Sequence, residues 1–452
     1  MSAPAVAARP GPRHAPIGLL DQPPLRAIAA LAAPTTAVMM MAAISNVLHT
    51  YFVSRLGDDA IAAVALVFPI SLILMTVISG GMGAGVASGI ARALGAGRTA
   101  DASAVAEHAL AITTLLSVVG TIATELGGRA LFGAMGGRGA VLELATQFAR
   151  VLFGGMLITF TVGTFDSILR GSGNVRIPAL CSTLSLALQI TLTPLFMFVV
   201  GLGLIGAPLA TLTGQCIGLV PRLLYVFGGR AAFHPRILPR RLSRTHVAEI
   251  LRVGVPASLS AGLNYVALII LTATVARYGD HYLAAYGLGT RLDFLLFTLG
   301  FGVATAGLTL VGMASGAGRD DLITRYVVQS SLLVACVVAI PAVLVTWQPS
   351  LWLGLFSSAT EIQAVGASYF LWVGPSYVFV VTSMVIASAF QGLGRATVPL
   401  TVMGVRVVLV VAVALAATHL FGLPATAVFA VIAAGNVLGC FALAALFRAA
   451  FR

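Results

Sequence analysis

Three ionisable side chains lie inside stretches of sequence that are otherwise apolar. His49 closes the run "LAAPTTAVMMMAAISNVLHT", Asp293 lies in "GTRLDFLL" and Asp166 lies in "GTFDSILRGSG". An ionisable residue inside a membrane span costs roughly 2.5–3.5 kcal/mol on insertion scales, so its presence indicates function by default. Imidazole titrates at about pH 6.5 and can load and release a proton under physiological conditions. We predict proton or cation coupling at these three residues. The alternative for His49 is a neutral ring bonded to a backbone carbonyl.

Both carboxylates also have a structural interpretation. Asp166 precedes Arg170 by four residues, a spacing that favours an ion pair along one helix face. Arg291 is only two residues from Asp293, and side chains two apart on a helix do not face each other. We therefore expect Asp293 and Arg291 each to find a partner on another span or to face a cleft. The alternative for Asp293 is a structural role with Arg291 or Arg406. Arg406 lies deep in an apolar run, and we expect it to pair with a carboxylate.

The composition defines the elements that must position these groups. Hydrophobic residues make up 59% of the 452 positions and charged residues only 9%, whereas a soluble chain carries about 25% charged residues. The sequence contains twelve apolar runs long enough to cross a bilayer, which takes about 20 residues each. Transmembrane β-barrels show alternating segments of about 10 residues instead. The predicted fold class is an all-α membrane protein with twelve transmembrane helices.

Arginine placement predicts the orientation of the chain. All 26 basic residues are arginines, and six of them lie in the single long polar connection, residues 227–252. Other arginines cluster in alternate connections, which is the positive-inside pattern. We predict that both termini, including an arm over residues 1–24, are cytoplasmic and that the protein is a multi-pass protein of the inner (plasma) membrane. The net charge of +12 therefore indicates membrane topology and no nucleic-acid partner.

The two halves of the chain repeat one pattern. "TYFVSRLGDDAIAAVAL" at residues 50–66 matches "TATVARYGDHYLAAYGL" at residues 272–288 in eight of seventeen positions, and "ALGAGR" matches "ASGAGR" further along at nearly the same offset. Six spans per half give both halves the same orientation, so substrate should bind between them. We predict two pseudo-symmetric six-helix lobes over residues 25–228 and 247–452, joined by a cytoplasmic linker over residues 229–246.

A two-lobed bundle of this kind is the architecture of alternating-access transporters. The sequence has no G-x-x-x-x-G-K-[ST] motif for nucleotide binding. Its four cysteines fall in four different spans, without the spacing of a metal site or a disulfide framework. We expect a transporter and not an enzyme, with no cofactor and no metal, working as a monomer. Its energy must come from an ion gradient or from the gradient of its substrate.

Several motifs together resemble the MATE (multidrug and toxic compound extrusion) family, most nearly its DinF-like bacterial branch. They are "HTYFVSRLGDDAIAAVAL", "GAGVASGIARALGAGR", the stretch from "AAYGLGTRLDFLL" to "GMASGAGR", and the paired turns "RGSGNVRIP" and "QGLGRATVP". The resemblance implies twelve helices in two lobes. It also implies efflux of amphipathic, often cationic compounds in exchange for protons or Na⁺.

The departures from that family pattern concern its carboxylates. The family usually has Asp where this chain has His49, and it often has Asn and Asp where "QITLTP" supplies Gln189 and Thr193. One branch has Glu at the position of Asn264. A hard cation such as Na⁺ prefers oxygen ligands and a carboxylate charge. We therefore predict that protons, and not Na⁺, are the coupling ion.

The resulting functional prediction is a secondary active efflux transporter that exchanges amphipathic or cationic small molecules for protons. The alternative is a flippase for lipids or lipid-linked saccharides, which would need a strongly basic central cavity. Core packing and interface anchoring are the alternatives for the apolar and aromatic members of the predicted substrate cleft. The predicted cleft residues are Met40, Asn46, Gln189, Thr193, Asn264, Tyr265, Arg291 and Phe294.

Overall fold

The computed structural model describes residues 17–237, 239 and 242–451, without the side chains of residues 17 and 77–79. Most of the predicted N-terminal arm, residues 1–16, and three linker residues, 238, 240 and 241, lie outside the described residues. All regular secondary structure in the described part of the chain is helical.

Twelve long elements cross the length of the bundle, and two short helices, Ile17–Leu20 and Ser350–Leu353, accompany them. The twelve are α1 (Pro24–Ser54), α2 (Asp58–Gly95), α3 (Thr99–Ala134), α4 (Gly139–Gly154 with Met156–Gly171), α5 (Arg176–Val199), α6 (Gly203–Phe227), α7 (Arg244–Ala276), α8 (Asp280–Gly316), α9 (Asp320–Trp347), α10 (Thr360–Gly392), α11 (Thr397–His419) and α12 (Ala425–Ala450).

The prediction of twelve membrane-spanning helices is confirmed. Eleven of the elements in the described chain are long and apolar enough on their own, and the twelfth, α4, is a helix pair bent by 46°. The bend falls at the adjacent glycines Gly154 and Gly155. A side chain at Gly155 would overlap the side chain of Leu212 on α6, so the bend brings α4 against that helix.

Alternating helix direction places the chain's connections at two ends of the bundle. We call the end that carries the connection between α6 and α7 the linker end, and the other the opposite end. Helix α1 packs on α8, and α2 packs on α7. A side chain at Gly85 would overlap the carbonyl of Ile250, and one at Gly302 would overlap the carbonyl of Ala32. Glycines thus allow the two halves to approach backbone to backbone.

Three of the long helices contain irregular segments. Helix α2 contains a π-helical segment at Thr76–Met82, α5 ends in another at Leu195–Val199, and α10 narrows to a 3₁₀ turn at Gly374–Ser376. Pro375 lies in that turn and cannot donate a backbone hydrogen bond.

Candidate functional site

Asp293 lies within α8, in the half nearer the opposite end, and is held by a tyrosine. The hydroxyl of Tyr369 on α10 donates to both carboxylate oxygens, at 3.0 and 3.3 Å. The rings of Tyr286 and Tyr369 pack edge to face at 5.8 Å, and both residues are buried. A side chain at Gly289 would overlap the Tyr369 ring, so this glycine makes room for it on α8.

No cation neutralises Asp293 in the described part of the chain. The salt bridges there, counted to a nitrogen–oxygen distance of 4.0 Å, do not include this residue. Arg291 is exposed, and its guanidinium carbon lies 5.7 Å from the ring centroid of Phe356, beyond α9 at the opposite end. Asp293 is therefore a half-buried carboxylate whose partners are neutral donors. This arrangement leaves it able to take up a proton without breaking an ion pair.

The expectation that Arg406 pairs with a carboxylate was wrong. Its Nη2 donates to the amide oxygen of Asn436 on α12, and Asn436 donates in turn to the hydroxyl of Ser376 at 2.9 Å. Glycines at 435 and 439 give the Arg406 side chain its space between α11 and α12. The amide network places this charge inside the second half of the chain, bonded to neutral groups.

The expected pairing of Asp166 with Arg170 was also wrong. Arg222 on α6 donates from Nε to one carboxylate oxygen of Asp166 at 2.7 Å and from Nη2 to the other at 3.2 Å. Arg222 is 0% exposed, and it also donates to the hydroxyl of Ser182 at 2.7 Å. Arg170 donates instead to the hydroxyl of Ser167 at 3.2 Å. A fully buried arginine outcompetes the local pair because the fork of its guanidinium matches both carboxylate oxygens.

Sequence reasoning missed Arg222 and Tyr369. Arg222 lies in the apolar stretch "GLVPRLLYVF". Because a charge inside a span is costly, its presence there was a signal that could have identified Arg222 as a candidate. Tyr369 carries no such signal, because a tyrosine near a span end indicates interface anchoring equally well.

His49 lies on α1, near the opposite end. Its ring meets the ring of Phe148 on α4 edge to face at 6.5 Å. No hydrogen bond to the imidazole is present among the described residues, so it is not bonded to a backbone carbonyl there. His49 and Asp293 belong to opposite halves of the bundle and are not brought together.

The other predicted cleft residues of the first half differ in how available their polar groups are. Thr193 is 1% exposed, and its hydroxyl donates to the carbonyl of Gln189 on the same helix at 2.6 Å. Gln189 and Met40 are half-buried, and Asn46 is exposed. The structure therefore leaves Asn46, Gln189 and Met40 accessible, whereas the hydroxyl of Thr193 is already used.

In the second half, Asn264 is exposed and its amide donates to the carbonyl of Ser260 at 2.9 Å. Tyr265 reaches across to the first half, where its hydroxyl lies 3.3 Å from that of Thr76 on α2. Phe294 is 57% exposed. Of this group, Tyr265 is the residue that links the two halves.

The two halves are locked together at the linker end. Arg92 on α2 forms an ion pair with Glu249 on α7 at 2.9 Å and donates to the carbonyl of Gly392 on α10 at 3.1 Å. Ser88 donates to the same carbonyl at 3.1 Å. Among the described residues, hydrogen bonds between the halves run from the level of Thr76 to the linker end. The polar contacts therefore close one end of the bundle.

Comparisons with known proteins match the sequence and the fold of the chain to those of transporters. The MatE family model matches residues 34–195 and 256–416, together more than half of the chain. The chain is 28% identical to the FAD transporter of Shewanella oneidensis, over 67% of this chain and 68% of that protein. It is 23% identical to the multidrug export protein MepA of Staphylococcus aureus, over 70% of this chain and 71% of that protein.

A solved structure, described as the outward-facing conformation of a multidrug resistance MATE family transporter of the MOP superfamily, has a similar fold. Its TM-score is 0.90 at 27% identity, and the match covers 97% of this chain and 98% of that one. The two segments matched by the family model start at residues 34 and 256, in the register of the internal repeat.

Proposed function

Because the chain belongs to the MATE family of multi-pass membrane transporters, we propose that it is a secondary active efflux transporter that exchanges amphipathic, cationic small molecules for protons. It lies in the inner (plasma) membrane with both termini and the linker end in the cytoplasm. The predicted lobes, residues 25–228 and 247–452, move against each other during transport.

The observation that carries proton coupling is the state of Asp293. Its carboxylate lies within a span and accepts hydrogen bonds from the Tyr369 hydroxyl, with no ion pair in the described chain. When deprotonated, it supplies a negative charge that attracts a cationic substrate. When protonated, it is neutral and releases that substrate. Binding of substrate and proton is thereby mutually exclusive, which is what antiport requires.

The contacts that close the linker end define one of the two conformations that alternating access requires. The Arg92–Glu249 pair and the Gly392 contacts support a conformation that is closed to the cytoplasm. Loading substrate from the cytoplasm requires these contacts to break and the opposite end to close. His49 is the proposed proton-responsive group of the first lobe. Its ring is cationic when protonated, so proton loading there repels a cationic substrate directly.

The energy available is sufficient for export. One proton moving through 100 mV releases about 2.3 kcal/mol, which sustains a gradient of roughly 50-fold because each 1.4 kcal/mol corresponds to tenfold. The test is dye efflux from proteoliposomes in which pH and Na⁺ gradients are imposed separately. We expect efflux to follow the pH gradient. Transport driven by a Na⁺ gradient alone would overturn proton coupling.

The flippase alternative predicts one strongly basic cavity that several buried arginines line together. Arg291 lies over Phe356, whereas Arg406 is bonded to Asn436 between α11 and α12. These separate locations support small-molecule efflux over lipid flipping.

The FAD transporter relative supports a second substrate candidate, a flavin dinucleotide. Its test is counterflow of labelled FAD into FAD-loaded vesicles. If unlabelled FAD inside the vesicles stimulates uptake of labelled FAD, the result would favour FAD over cationic drugs as the substrate.

A further inference from the structure

A chain of polar side chains crosses three helices in the second half of the bundle. Arg406 on α11 donates to the amide oxygen of Asn436 on α12, and the amide nitrogen of Asn436 donates to the hydroxyl of Ser376 on α10 at 2.9 Å. The hydroxyl of Ser376 donates in turn to the carbonyl of Val373 at 2.7 Å. Asn436 is 5% exposed and Ser376 is 2% exposed. The chain of hydrogen bonds therefore ends at the buried 3₁₀ turn of α10.

The arginine fixes the direction of every bond in this chain. A guanidinium can only donate hydrogen bonds, so the amide oxygen of Asn436 faces Arg406 and the amide nitrogen faces Ser376. The hydroxyl of Ser376 accepts from that nitrogen, and its own proton goes to the carbonyl of Val373. Each of these partners is neutral. The guanidinium therefore orients neutral groups that lead to the turn in α10.

The same two helices, α10 and α12, also hold the ring of Tyr369. Phe429 on α12 packs edge to face on Tyr369 of α10, with the ring centroids 5.2 Å apart. Seven residues separate Phe429 from Asn436, and seven separate Tyr369 from Ser376. Two turns of an α-helix contain about 7.2 residues, so the two contacts share one face of α12. The bond from Asn436 to Ser376 thus fixes the register in which Phe429 meets Tyr369.

The titratable side chains that interact with Asp293 are Tyr369 and Tyr377 of α10 and Tyr286 of α8. Phenols titrate near pH 10, so these tyrosines are uncharged at physiological pH. No charged side chain of α8 or of the helices packed on it forms an ion pair with Asp293 in the described chain. Arg406 is not among the groups that act on the carboxylate directly. Any influence of Arg406 on Asp293 must therefore pass through α10.

We propose that Arg406 and Asn436 are positioning residues for the protonation site, which act by aiming the Tyr369 hydroxyl at Asp293. This inference rests on the proton coupling proposed above. The hydroxyl donates to the two carboxylate oxygens at 3.0 and 3.3 Å, and a hydrogen bond weakens steeply when its alignment is lost. A donor to a carboxylate stabilises the charged form. Loosening the turn in α10 therefore lets Asp293 take up its proton at higher pH.

The experiment measures the pH at which dye efflux from proteoliposomes is half-maximal. Asn436→Leu removes both bonds of the amide, and Ser376→Ala removes only the hydroxyl that accepts from it. We expect each variant to raise this pH by about half a unit, which is roughly a threefold change in proton affinity. Arg406→Lys keeps a charged donor without the planar fork, so its shift should be smaller than that of Arg406→Met.

A double-variant cycle tests whether the effect passes through the tyrosine, because residues that act as one unit are not additive. Adding Ser376→Ala to Tyr369→Phe should raise the pH no further, since the hydroxyl that the network aims is already gone. Ser383→Ala is the matched control on α10. It removes a hydroxyl that donates to the carbonyl of Phe379 at 2.8 Å, and this serine makes no hydrogen bond with Asn436 among the described residues. Its pH profile should equal that of the parent protein.

Two outcomes would overturn the positioning role. One is a folded Ser376→Ala variant with the pH profile of the parent protein, and this single-hydroxyl change decides the matter even where Asn436→Leu does not fold. The other is a shift that adds in full to that of Tyr369→Phe or that Ser383→Ala reproduces, which would assign the network to stability alone. Failure of the proton-coupling proposal has a different signature, namely full pH-driven efflux in Asp293→Asn.

Discussion

Two carboxylates lie inside the bundle, one in each half, and their partners differ. Asp166 accepts two hydrogen bonds from Arg222, at 2.7 and 3.2 Å. Asp293 accepts its hydrogen bonds from Tyr369 and has no ion pair in the described chain. A carboxylate in a bidentate pair must lose that pair to take a proton, whereas one held by hydroxyls does not. The comparison indicates a structural role for Asp166, and we propose that Asp293 carries the exchangeable proton.

This difference also separates stability from transport. Breaking a buried ion pair leaves a charge without compensation and is costly. Removing the charge of Asp293 leaves only neutral groups, which can remain hydrogen-bonded. Substitutions at the Asp166–Arg222 pair should therefore lower stability, whereas substitution of Asp293 should lower pH-driven transport and leave stability nearly unchanged.

The largest expected effect is on stability at Arg222. Arg222→Ala leaves Asp166 buried without its partner, and we expect a loss of about 3–5 kcal/mol in the free energy of unfolding. The loss of stability is measured by thermal unfolding in detergent, monitored as the fraction of protein that stays monodisperse after heating. The double variant Asp166→Leu with Arg222→Met should recover most of this loss, because apolar groups of similar volume replace the pair. A single variant as stable as the parent would contradict the structural role of the pair.

The next effect separates the two carboxylates by transport. Asp293→Asn keeps an acceptor for the Tyr369 hydroxyl, so we expect a folded protein of near-parental stability. Its pH-driven efflux in proteoliposomes should fall by at least about tenfold, because the proton-binding group that a coupling site requires is lost. Substrate exchange without a pH gradient should persist. Asp166→Asn is the control, in which stability falls but the surviving protein keeps its pH response. An Asp293→Asn variant with full pH-driven efflux would remove this residue from coupling.

The sequence was sufficient for much of the fold. The apolar runs and the repeat predicted twelve helices because a span must be both long and apolar. The bend in α4 was not predictable, since it depends on how Gly155 packs against Leu212. The sequence singled out Asp293 as a candidate because a lone carboxylate in an apolar run is costly.

The partners of these residues were not predictable from the sequence. Tyr369 is 76 residues from Asp293 along the chain, and the sequence contains no sign that α10 places it there. The local spacing of Asp166 and Arg170 suggested the wrong pair, because helix spacing identifies neighbours on one helix and not a buried group on another.

A smaller effect tests the first half through His49, which touches Phe148 and has no hydrogen bond in the described chain. If the ring titrates, His49→Ala should insert and fold normally and lose several-fold of its pH-driven efflux, because the first half then lacks its proton-responsive group. His49→Asp should restore part of the response. The measurement is dye efflux under an imposed pH gradient, with surface expression as the control. Full efflux in His49→Ala would assign the ring to packing and leave Asp293 as the remaining candidate.

The smallest expected effect concerns the tyrosine that distinguishes Asp293 from Asp166. Tyr369→Phe removes the hydroxyl that donates to both oxygens of Asp293 and keeps the ring that packs on Tyr286. A donor to a carboxylate stabilises its charged form, so losing it favours the protonated form. We expect the pH at which transport is half-maximal to rise by about one unit, since one unit corresponds to about 1.4 kcal/mol and a hydrogen bond to a charged group contributes a similar amount. Tyr286→Phe is the matched control, because no hydrogen bond between Tyr286 and this carboxylate is present among the described residues. A pH profile that shifts downward, or that shifts equally in both variants, would show that the Tyr369 hydroxyl does not set the protonation of Asp293.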